Sequence, residues 1–147
     1  MNRRLAVIWL GIVVAAAAVF AGAGSASAFP GEPDGYSGIA WGTALDRLSS
    51  MEYVGRRNDE PDIELYRRSG DDLTFGKARL TAVEYGFADG RLSVVTLRVN
   101  SLLHYLLMKE EAIRRFGPGK EADPHAERYI WEGERTTVRL KSAFDMS

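Results

Sequence analysis

Val83-Glu84-Tyr85-Gly86-Phe87-Ala88-Asp89-Gly90-Arg91-Leu92-Ser93-Val94-Val95-Thr96 carries the clearest local signal in this chain. Asp89-Gly90 stands between two alternating runs, the pattern of a β-hairpin with a two-residue loop. Counted out from that loop, Phe87 faces Leu92, Tyr85 faces Val94 and Val83 faces Thr96. This face is nearly all apolar and is expected to lie on the core, beneath a helix. The opposite face carries Glu84, Gly86, Arg91 and Ser93, with Val95, Leu97 and Val99 farther from the turn. It is expected to be half solvated.

The helix follows at once. Ser101 opens it, and Phe116-Gly117-Pro118-Gly119 ends it with a glycine stop and a proline. At 100° per residue, Leu102, Tyr105, Leu106, Ala112, Ile113 and Phe116 form one stripe, which Lys109 interrupts. Leu103 and Leu107 fall on another side and form a candidate interaction edge. Beyond the helix, Glu127 to Ala143 reads as a last hairpin turning at Gly133-Glu134. That register sets Trp131 opposite Thr136, Tyr129 opposite Val138 and Arg128 opposite Arg139. Arg128, Arg139 and Lys141 then make a cationic strip suited to an anionic glycan, lipid head group or acidic partner. Lys and Arg on strands also protect sheet edges from mispairing.

Upstream, Phe29 to Gly38 is rich in Pro and Gly and reads as a flexible lead-in. Ile39-Ala40-Trp41 reads as a short strand. Thr43 caps a first helix running through Leu45 and Leu48 to about Met51. Glu52 to Arg57 and Ile63 to Arg68 read as paired strands, and Leu73 to Phe75 as a further short one. The expected architecture is α+β: an antiparallel sheet of five to seven strands with two helices on one face, in a single domain spanning 39–147.

The N-terminus carries a different kind of signal. Met1 to Arg4 is basic, Leu5 to Ala23 is 19 residues without a charge, and Ala26-Ser27-Ala28 is small. This is the order of a secretory signal peptide over 1–28, with the cut between Ala28 and Phe29. The alternative is an uncleaved anchor, the one route by which this chain would hold to a membrane. Export places the protein in the periplasm or outside the cell. Without Arg3 and Arg4 the chain keeps 17 Lys and Arg against 20 Asp and Glu. That acidic balance does not suggest nucleic acid as a partner. There is no cysteine, so disulfides, thiol chemistry and a lipoprotein anchor are all excluded.

Gly38-Ile39-Ala40-Trp41-Gly42-Thr43 and Val83 to Leu92 resemble corresponding stretches in a group of small secreted bacterial proteins without an assigned function. Phe116-Gly117-Pro118 and Tyr129-Ile130-Trp131 fit the same order, so the resemblance spans most of Gly38 to Leu140. It implies strands, a turn and a cap, and brings no catalytic residue. The order of helix and antiparallel strands is also similar to that of the outer-membrane assembly lipoprotein. Members of the resembling group continue in strand past the position of Phe144, so a missing C-terminal edge strand is one expectation for this chain.

No catalytic, cofactor-binding or metal-ligating set emerges. His104 and His125 lack metal spacing, although Glu121, Asp123 and His125 share one loop. Asn58, Asp59, Glu60, Asp62 and Glu64 concentrate oxygen ligands, but Pro61 and the lack of EF-hand order make them a solvated turn. The expected function is an exported binding or interaction domain of the bacterial envelope with a protein partner there. Two alternatives are a small secreted hydrolase using Asp or Glu, and a shortened, marginal member of the resembling group.

Overall fold

The structure is a computed structural model that describes residues 3–12, 28–123 and 128–145. In chain order its elements are β1 (Arg3–Ile12), β2 (Gly35–Tyr36), β3 (Ile39–Ala40), a 3₁₀ turn (Leu45–Arg47), β4 (Met51–Arg56), β5 (Ile63–Arg68), β6 (Thr74–Phe75), β7 (Ala78–Arg79), β8 (Ala82–Ala88), β9 (Arg91–Val99), α1 (Leu102–Phe116), β10 (Lys120–Asp123), β11 (Arg128–Glu132) and β12 (Thr136–Asp145). Eight strands form one sheet in the order β10-β11-β12-β1-β9-β8-β5-β4. Every neighbouring pair in it is antiparallel. The chain is thus α+β. Among the described residues the sheet has eight strands rather than five to seven, and there is one α-helix rather than two.

The expected first helix is a single 3₁₀ turn, because its backbone is committed elsewhere. Gly42 N–H donates to Leu92 O, Leu92 N–H to Thr43 O, and Leu45 N–H to Gly90 O. A segment laced to the β8–β9 turn in this way cannot close its own helical ladder. Thr43 Oγ1 turns back onto Ala40 O (2.7 Å) instead of capping.

The β8–β9 register follows expectation at Phe87↔Leu92 and then shifts by one, giving Gly86↔Val94, Tyr85↔Val95 and Val83↔Leu97. A bulge at Ser93 causes this. The apolar order of β9 changes phase between Leu92 and Val95, and the extra residue restores it. Val95, Leu97 and Val99 therefore join Val83, Tyr85 and Phe87 in the core, away from the half-solvated face expected for them. Gly86 makes room for the bulge, since a Cβ there would overlap Val94 Cγ1 and lie 2.8 Å from Ile63 Cγ2.

Helix α1 starts and stops where expected. Ser101 accepts a hydrogen bond from His104 N–H (3.2 Å), and Gly117 closes the end at φ 80°. Its buried face, however, is Tyr105, Met108, Glu111, Ala112 and Phe116. Leu102, Leu106 and Ile113 of the expected stripe are exposed. The helix is rotated because Glu111 can be buried, with Arg114 and Arg115 both donating to its carboxylate. Lys109 then leaves the core side, and its ammonium lies 4.5 Å from the Tyr129 ring centre.

The last hairpin closes through Gly133 N–H donating to Thr136 O (3.0 Å). This four-residue turn shifts the register by two, so Trp131 faces Val138 and Tyr129 faces Leu140. The same faces are kept, but Arg128 now faces Lys141 rather than Arg139. β10 adds a strand where a loop was expected, and His125 lies outside the described residues.

The stretch read as a flexible lead-in runs as a strap across one end of the domain. Phe29 packs edge-on to Phe116 at 5.6 Å. Glu32 Oε1 accepts from Arg135 N–H (2.6 Å) and Thr136 N–H (2.9 Å), capping the β11–β12 turn. Thr136 Oγ1 donates to Pro33 O, and Trp41 Nε1 donates to Thr136 Oγ1. Ala28 is exposed beside it.

Candidate anion-binding groove

α1 covers one face of the sheet. The other face is concave and holds a cavity of about 810 Å³. Leu65 lines it and belongs to a small buried cluster with Ile63 and Val94. The cavity's walls are cationic. Arg56 comes from β4 and Arg57 from the turn after it, Arg98 from β9, Arg128 from β11, and Arg139 and Lys141 from β12. Among the described residues the carboxylates lining it are Asp59, Glu60 and Glu84, so six cations meet three anions there, in a chain whose net charge is −1.

Strand alternation places these groups. Glu84 and Thr96 are a cross-strand pair at the middle of the sheet, both buried. Arg98 donates through Nε to Glu84, which offsets the cost of burying that carboxylate. On β12, Arg139 and Lys141 alternate with the buried Val138 and Leu140. The turn after β4 bends toward them across the groove. Arg57 grips Asp59 through two hydrogen bonds, 2.9 and 2.6 Å. Asp59's carboxyl is held below its ordinary pKa, first by those bonds, with a smaller pull from Lys141 on the far wall. Arg56 reaches Glu64 at 3.5 Å. Two of the oxygen ligands of this acidic loop are therefore already engaged by arginines.

Arg128, Arg139 and Lys141, expected as a strip, are thus brought together with three arginines that strand reading did not join to them. A signal for Arg98 was available: it is the one charge in the run Leu92 to Val99, and Glu84 is the one charge in Ala82 to Ala88. The bulge at Ser93 is what brings Arg98 onto the face that alternation already gives to Glu84. Leu103 and Leu107 are separated by the helix rotation. Leu103 is 62% exposed, whereas Leu107 is half-buried against the core.

A second cluster lies behind the helix. Tyr85 donates to Asp71 Oδ2 (2.6 Å), and burial, then nearby Asp71, raises the Tyr36 pKa to about 12. A smaller hollow of about 440 Å³ opens beside Tyr36, between the strap and the end of α1. His104 Nδ1 accepts from Arg79 N–H (3.0 Å), which fastens β7 to the helix. Among the described residues no group of three His, Cys, Asp or Glu side chains is placed to hold a metal. No helix among them is long and apolar enough to cross a membrane. The chain matches no family model, and its comparison with curated proteins and with solved structures gives no significant match.

Proposed function

We propose that this protein is an exported binding domain of the bacterial envelope that takes an anionic partner in the concave face of its sheet. Export rests on the basic, apolar and small-residue order of residues 1–28. The observation that carries the binding reading is the convergence of Arg98, Arg128, Arg139 and Lys141 from three strands into one groove. Cations collected in a concavity focus field and raise the local concentration of an anionic ligand. The partner is an acidic polypeptide segment, because the cations come from β9, β11 and β12 and the groove they line runs across neighbouring strands of one sheet.

The test is fluorescence anisotropy with a labelled oligoglutamate peptide and the full chain. Arg128→Glu/Lys141→Glu weakens binding at least about tenfold, as expected for reversal of two wall charges. Arg47→Glu/Lys77→Glu, exposed and outside the groove, leaves it unchanged. Equal weakening by both pairs refutes a specific groove. No observation favours the hydrolase reading: among the described residues the carboxyls with displaced pKa, Asp59 and Glu111, are displaced downward, opposite to a general acid.

A further inference from the structure

Strand β1 alone joins two blocks of the sheet, β9-β8-β5-β4 and β10-β11-β12. Residues Ala6 to Gly11 are paired on both sides, with Ile8 between Leu97 and Leu140 and Leu10 between Val95 and Val138. The flanking residues are core: Val95, Leu97 and Val138 are fully buried and Leu140 nearly so. Because β1 is antiparallel to both neighbours, β9 and β12 run parallel to each other about two strand spacings apart, roughly 9.5 Å. The residues filling this place are the start of the expected signal peptide. They cannot lie in a membrane and in the sheet together.

We propose that the exported domain is a strand acceptor, whose slot between β9 and β12 takes an extended segment of a partner polypeptide, apolar on one row and acidic on the other. The apolar row is set by Val95, Leu97, Val138 and Leu140. The acidic row is set by the groove, and in this respect the inference rests on the anionic-partner reading. Position 7 of β1 stands between Arg98 and Lys141, and position 9 between Thr96 and Arg139. The chain itself has Val7 and Trp9 there, so a segment with Glu at both places complements the slot better than β1 does. Main-chain pairing on two edges supplies affinity, and the alternating rows supply selectivity, as in other strand additions.

The experiment uses the full chain. Ile8→Pro removes a strand N–H and breaks β1 pairing. Hydrogen exchange is followed at β9 and β12, and a free ten-residue peptide with Glu at positions 7 and 9 is added, beside one with Ser there. The expected result is loss of protection on both strands in the variant and its return with peptide, at a roughly tenfold lower concentration for the Glu peptide. Equal action of the two peptides keeps the slot and overturns the acidic row and the groove reading behind it. Unchanged protection in Ile8→Pro, failure of both peptides, or protection restored by a dimer of the variant overturns the proposal. To guard against a variant that does not fold, the unsubstituted chain is cut at a protease site inserted after Ala28. Exchange of segment 3–12 for labelled Glu peptide, read by native mass spectrometry, supports the slot; no exchange over days refutes it.

Discussion

Glu111→Gln isolates the interaction that sets the rotation of α1. Glu111 is 9% exposed. Its Oε1 accepts from Arg115 Nε (2.6 Å), its Oε2 from Arg114 Nε (3.0 Å), and Arg114 Nη2 makes a further contact with Oε1. Hydrogen bonding from Arg114 and then from Arg115 lowers its pKa from 4.5 to about 2, against the opposing effect of burial. A shift of this size corresponds to about 3 kcal/mol. The Arg114 side chain is 69% exposed and that of Arg115 41%, so solvent screening reduces the contribution to about 1–2 kcal/mol. The sign follows from proton binding. The folded pKa is the lower one, so the unfolded chain takes up the proton first as pH falls. The stabilisation is complete above about pH 4.5 and is lost as pH falls toward about 2. Glutamine keeps the size and removes the charge. Urea unfolding followed by tryptophan fluorescence should show wild type ahead of Glu111→Gln by about 1–2 kcal/mol near neutral pH, a gap that closes between those two values. A gap that stays constant down to pH 2 refutes the electrostatic account, and so does no gap at neutral pH.

Two further substitutions test the packing. Gly86→Ala places a Cβ against Val94 and Ile63 and should cost about 1–3 kcal/mol by overpacking, measured as a fall in the urea midpoint; an unchanged midpoint would refute the bulged register. Leu103→Asp should stay within about 0.5 kcal/mol of wild type, whereas Leu107→Asp should lose about 1–3 kcal/mol by setting a charge against the core; equal effects would refute the rotation of α1.

The parts of this fold that were legible are those in which a residue's own backbone chemistry decides the outcome. Asp89 and Gly90 take φ of 50° and 74° and make the turn their types announce. Ser101 caps, Gly117 stops, and β5 runs Ile63–Arg68 as its alternation says. What was not legible depends on partners distant in sequence. A bulge is one residue of phase, and Leu92, Val94, Val95 and Leu97 fit either phase until β5 and Gly86 are in place. A periodicity argument treats Glu111 as outward by its charge, because Arg114 and Arg115 count as charges too and not as its neutralising shell. The groove has the same origin. Its cations alternate with core residues on each strand, yet only the order of the strands shows that β4, β9, β11 and β12 contribute to one concavity.

Residues 3–12 carry this limit furthest. A central strand of a sheet and the core of a signal peptide can be written alike, as a run of apolar residues without alternation. Length separates them only when the run is too short for a bilayer, and 19 uncharged residues are not. The two readings describe one property, an extended or helical segment that seeks an apolar place. In the sheet that place is between β9 and β12, where pairing on two edges satisfies its backbone. In a membrane a helix would do so. In the sheet Ile8 stands in register between Leu97 and Leu140, both buried, so a segment in that place meets apolar neighbours on both sides.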